Sequence, residues 1–135
     1  MEKWTLSNKK AVITGGTKGI GKAIAEMFLR FNAEVIIVAR NNKEVENLVV
    51  EWKSKNYKIY GIAADISTEI GREQILNETN NLWGNLDILV NNVGTNIRKK
   101  INDYVKEEYD KILNTNLNST LFLCKAFYPL LKKST

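Results

Sequence analysis

The 135-residue sequence contains no histidine, one cysteine (Cys124) and one proline (Pro129). A disulfide framework, a Cys/His zinc centre and histidine-based catalysis are thereby excluded within this chain. It has no uninterrupted apolar run near the ~20 residues of a membrane span. Met1-Glu2-Lys3-Trp4-Thr5-Leu6 carries no apolar leader, so the expected location is cytoplasmic and no membrane partner is expected. There is no low-complexity segment, internal repeat or Pro/Gly/Ser linker, and the length suits a single domain. The net charge of +5 is mild and Arg98-Lys99-Lys100 is the longest basic run. That is read as solvated surface rather than a nucleic-acid footprint, so no nucleic-acid partner is expected.

What is present is an alternation of short apolar runs with longer amphipathic stretches. Ala11–Thr14, Val35–Val38, Tyr57–Ala63 and Leu86–Val90 read as buried strands. Helices are expected from Ile20 to Phe31, after Asn41 to about Lys55, from a Ser67 cap to Trp83, and from Val105 to Lys132. Asn41 and Glu44 have capping-box spacing, and Gly84 is a helix stop. The fold class is therefore α/β, a Rossmann-type parallel sheet with helices on both faces. Right-handed crossovers give strand order 3-2-1-4 and put ligands at the carboxyl ends of the strands.

The residues after each strand fit that expectation. Thr14-Gly15-Gly16-Thr17-Lys18-Gly19-Ile20-Gly21 links strand to helix, with Gly15, Gly19 and Gly21 letting backbone approach a phosphate at a helix N-terminus. The spacing departs from G-x-G-x-x-G, and the Gly-Lys-Ser/Thr ending of a nucleotide-triphosphate loop is absent. After strand 2, Ala39-Arg40-Asn41 offers no carboxylate for ribose hydroxyls. Arg40, with Lys18, can instead pair with a 2′-phosphate, which favours NADP(H) over NAD(H). Asp65 could accept from an adenine amino group with Ile66 against the ring, or simply build the turn before the next helix. Asn91-Asn92-Val93-Gly94 suits a tight loop holding backbone or ribose, and turn chemistry alone would also explain it.

Together these motifs resemble the short-chain dehydrogenase/reductase family. The first loop matches T-G-x-x-x-G-I-G, Asn91–Gly94 is similar to N-N-A-G, and Asn116-Leu117 sits where the family keeps a helix asparagine. Residues 39–44, 52–55 and 92–96 are similar to tropinone reductase-like members. The resemblance implies that Gly15, Thr17, Lys18, Gly19, Ile20 and Gly21 surround the cofactor phosphates and that Arg40 reads the 2′-phosphate. It implies Asp65 and Ile66 at adenine, Asn92, Val93 and Gly94 along the inner ribose, and Asn91 stabilising strand 4. Asn116 would hold a water of the proton relay, as the one catalytic position present, with a kink in its helix. Val93 for the usual alanine is expected to be tolerated.

The family's carbonyl or secondary-alcohol hydride transfer also needs a serine, a tyrosine and a lysine four residues later, on a fifth strand and the following helix. The sequence reaches Thr135 before such elements, so residues 1–135 are expected to be the NADP(H)-binding portion with the C-terminal part missing, inactive alone. Tyr128-x-x-x-Lys132 is rejected as the catalytic pair, since it ends the helix after strand 4 and includes Pro129. Cys124 is read as a core residue. The alternative is a non-catalytic interaction fragment, half of a split enzyme or a remnant of an interrupted gene. An open strand 4 edge and an apolar last helix lead to expected self-association.

Overall fold

The structure, a computed structural model, describes residues 4–134. Four parallel strands, β1 (Lys10–Thr14), β2 (Glu34–Ala39), β3 (Ile59–Ala63) and β4 (Ile88–Val90), form one sheet in the order β3-β2-β1-β4. The helices are α1 (Gly19–Arg30), α2 (Asn42–Lys53), α3 (Glu69–Trp83), α4 (Lys106–Leu113) and α5 (Ser119–Leu131). Val12 sits beside Ile36 of β2 and Leu89 of β4, which fixes β1 at the centre.

Alternation along the strands divides the interior into two layers. Ala11, Ile13, Val35, Ile37 and Ile59 face α1 and α2, where Ala25, Leu29, Leu48 and Trp52 are buried. Val12, Ile36, Val38 and Ile62 face the other way, against Ile75 of α3 and Leu123, Phe127 and Leu130 of α5. Helices on both faces of an apolar sheet are the expected architecture.

Helix ends follow local chemistry. The Asn41 carboxamide accepts the Glu44 N–H at 3.2 Å and starts α2. Gly84 ends α3 in the left-handed region at φ 70°. After α1 and α2 the left-handed residue is Asn32 (φ 69°) and Asn56 (φ 62°), the non-glycine type that best tolerates it.

Several boundaries differ from the sequence expectation. The α3 cap is Thr68, whose Oγ1 accepts the Gly71 N–H at 3.0 Å; Ser67 is occupied by Asp65 instead. The third strand begins at Ile59 rather than Tyr57, whose N–H closes a turn onto Trp52. The fourth loses Leu86 and Asp87, because the Leu86 N–H donates to the Leu130 carbonyl and Asp87 braces Lys10. The long last helix is interrupted by a π-helical turn over Asn114–Asn118 between α4 and α5. At the start of α5 the Ser119 hydroxyl donates back to the Thr115 carbonyl of that turn at 2.5 Å, a local bond that competes with the regular ladder.

Candidate functional site

The loops leaving the strands' carboxyl ends enclose a cleft of about 900 Å³. Its floor is the turn after β1. Gly15 takes φ +66°, and a methyl group on Gly21 would lie 2.2 Å from the Gly15 carbonyl oxygen. Only glycine allows this approach, which lets α1 start immediately behind the turn. Gly19 takes φ +54°, and its missing Cβ would point into open space. Lys18 precedes α1 without any side-chain cap, and no acidic residue stands in the first turn. The first N–H groups of α1 are thus left for an external acceptor beside an open backbone cradle, an arrangement that suits a phosphate.

Thr14 joins this turn to the loop after β4. Its Oγ1 accepts the Asn92 N–H (3.0 Å) and the Val93 N–H (3.3 Å) while donating to the Val90 carbonyl (3.3 Å). The Asn92 amide donates back to the Gly15 carbonyl at 3.3 Å. Farther along that loop, Asn116 at the π-turn makes a two-point contact with Thr95: its Oδ1 accepts the backbone N–H (2.7 Å) and its Nδ2 donates to the carbonyl (2.8 Å). Tyr104 donates its hydroxyl to the Ile97 carbonyl, and Lys99 pairs with Glu108 at 2.5 Å. The hydrogen bond from Lys99 is the main reason the Glu108 carboxyl titrates below its ordinary range.

Of the residues singled out from sequence, Gly15, Thr17, Lys18, Arg40, Asp65, Ile66, Asn92, Val93 and Gly94 line the cleft. Gly19, Ile20 and Gly21 shape the turn without lining it, and the Ile20 side chain is exposed. Asp65 does build the turn: its Oδ1 accepts the Ser67 N–H (2.9 Å) and hydroxyl (2.7 Å). Its Oδ2 has no hydrogen bond among the described residues, and the side chain still borders the cleft. Asn91 points elsewhere, donating to Cys124 Sγ at 3.4 Å, with its Oδ1 buried and unpaired among the described residues. Cys124 is exposed, which corrects its reading as a core residue.

Sequence reasoning assigned Glu44 only to a helix cap. It also lines the cleft, with a carboxylate 2.8 Å from Lys18 Nζ. Lys111 and Thr115, from α4 and the π-turn, were missed as well. No local motif marks them; they reach the cleft because the chain folds back over the β4 loop.

Tyr128 and Lys132 lie at the opposite end of the molecule. The neighbouring Leu130 carbonyl accepts the Leu86 N–H at the amino end of β4, whereas the cleft opens at the carboxyl ends. Tyr128 is largely exposed, with Lys132 Nζ 5.6 Å from its ring centre.

Comparison with known proteins agrees with the fold. Residues 9–135 match the short chain dehydrogenase family. A tropinone reductase homologue of Arabidopsis thaliana is 41% identical over 134 residues, covering 98% of this chain and 51% of the relative. A tropinone reductase homologue of Datura stramonium is 36% identical over 133 residues, with 98% and 50% covered. Among solved structures, Pseudomonas aeruginosa RhlG in its NADP active-site complex superimposes with TM-score 0.90 at 30% identity, over 97% of this chain and 51% of that one. L-Sorbose reductase from Gluconobacter frateurii, complexed with NADPH and L-sorbose, gives TM-score 0.91 at 29% identity, over 95% and 49%. The chain thus spans about half the length of the relatives it matches. On the sequence match, the strand order and the glycine turn together, this chain belongs to the short-chain dehydrogenase family.

Proposed function

We propose that this chain is the NADP(H)-binding portion of a short-chain oxidoreductase acting on a ketone or secondary alcohol. The observation that carries the proposal is that two cations, Lys18 and Arg40, line the same cleft as the glycine turn, behind which α1 starts without a side-chain cap. The open space at Gly19 and the close approach at Gly21 fit a pyrophosphate against backbone. Arg40 has no ion pair among the described residues, which leaves its planar fork for a 2′-phosphate. Asp65 and Ile66 border the space for adenine, and Asn92, Val93 and Gly94 that for the inner ribose.

When bound, the cofactor supplies or accepts a hydride. The chain's own residues bind and orient it: Thr14 and Asn92 lock the two loops together, and Asn116 fixes the Thr95 backbone beside the cleft. In this reading Asn116 also contributes to proton relay, and the proton donor itself lies outside residues 1–135. The chain alone therefore binds cofactor without turnover. The substrate is a small carbonyl or alcohol compound, and the location is cytoplasmic; one Arabidopsis relative is by name chloroplastic.

Fluorescence titration with NADPH and NADH tests the assignment. NADPH is expected to bind more tightly, and Arg40→Gln to weaken NADPH about tenfold or more, as loss of a hydrogen bond to a charged group would, leaving NADH unaffected. Equal affinities for the two cofactors would overturn the 2′-phosphate assignment. Turnover by the purified chain, abolished by Tyr128→Phe, would overturn the rejection of that tyrosine.

A second reading, a non-catalytic interaction fragment, is favoured by one observation. The buried Asn91 Oδ1 lacks a donor among the described residues, and β4 beside it is a sheet edge. A strand supplied by another polypeptide, including a second copy, would cover that edge.

A further inference from the structure

Glu44 introduces a negative charge into the place where the cofactor reading, on which this inference rests, puts a phosphate. Its carboxylate is 2.8 Å from Lys18 Nζ, and both residues line the cleft together with Arg40. Glu44 is not a freely swinging surface residue. Its N–H donates to Asn41 Oδ1 at 3.2 Å, and the Asn41 amide donates to Glu44 Oε1 at 3.3 Å. This reciprocal cap, at the positive end of α2, steadies the carboxylate on the cleft side of the helix. The Glu44 side chain is 35% exposed and Lys18 76%, so the lysine is the partner free to move.

We infer that Glu44 is an internal counter-anion that sets cofactor discrimination. With the cleft empty it holds Lys18. A 2′-phosphate must take that cation from it and then sit near the released carboxylate. Arg40, with no carboxylate of its own among the described residues, is the constant attraction; Lys18 is the shared one. Glu44 consequently lowers the preference for a 2′-phosphorylated dinucleotide below what two free cations would give. It leaves the unphosphorylated nucleotide untouched.

Glu44→Gln isolates the charge, because glutamine makes the same helix cap. The probes are 2′,5′-ADP and 5′-AMP, which differ only in the 2′-phosphate, titrated calorimetrically against the full chain. E44Q should tighten 2′,5′-ADP about two- to fivefold, the range carried by an exposed ion pair, with 5′-AMP unchanged. The gain should shrink with added salt and in a Lys18→Gln background, where no cation is left to release. Unchanged or weaker 2′,5′-ADP binding by E44Q would overturn the inference and make Glu44 a positioning residue for Lys18. An equal gain with and without Lys18 would overturn the competition for that lysine. If neither nucleotide binds the unsubstituted chain, the cofactor reading fails and the inference falls with it. A melting transition unchanged in E44Q shows that the cap survives and that the affinities compare folded proteins.

Discussion

A methyl group at Gly21 would meet the Gly15 carbonyl oxygen at 2.2 Å and the Asn92 amide nitrogen at 2.5 Å. Both are fixed parts of the loop network, so neither yields cheaply. Gly21→Ala is expected to lower stability by about 1–3 kcal/mol, the ordinary cost of overpacking, and to abolish nucleotide binding; denaturant unfolding with a parallel NADPH titration checks both. Gly19→Ala meets no atom within 4 Å and serves as the contrast, carrying only the strain of its positive φ. The glycines were readable in the sequence because the absence of a side chain is itself the signal. Glu44 was half readable. Its spacing from Asn41 announced a cap, but only the three-dimensional path of the loop after β1 brings Lys18 within 2.8 Å of it. Asp65 shows the reverse case: the turn is made as its neighbours suggested, and the same carboxylate still faces the cleft.

At the scale of an element, the π-turn between α4 and α5 carries Asn116 to the loop after β4. Its two bonds to Thr95 tie the π-turn to the cleft wall. Asn116→Ala should remove about 1–2 kcal/mol of local stability, from two ordinary hydrogen bonds. Hydrogen exchange is expected to speed up at amides 93–97 while the strands remain protected. Unchanged exchange there would mean the loop is held without Asn116. The helix break escaped the sequence reading in its detail, since the apolar spacing runs on through it and only the resemblance implied a kink. The shortened β4 has a comparable origin. Leu86 and Asp87 look like strand residues, yet the Leu86 N–H goes to the Leu130 carbonyl and the Asp87 side chain accepts the Lys10 N–H. Neither partner is near in sequence, so no local pattern could reveal it.

For the whole molecule, strand order followed from alternation and handedness, rules that do not depend on any one side chain. What those rules leave open is the cover of the outer surfaces. β4 is an edge strand, and α5 exposes Leu121, Phe122 and Cys124, with Leu117 of the π-turn beside them. We propose that the chain self-associates through these surfaces. Sedimentation velocity should show a dimer or larger species at tens of micromolar, an order of magnitude set by ordinary interface affinities; a single monomer boundary would refute it. The opposite pole has its own arrangement. Leu6 donates its N–H to the Phe31 carbonyl, and the Ser134 hydroxyl reaches Asp87 at 2.6 Å, so both described ends gather at the strands' amino side. The cleft opens on the far side, at the strands' carboxyl ends. A bead, a sensor surface or a fluorescent reporter coupled near Leu6 or Ser134 therefore leaves the mouth of the cleft turned toward the solution.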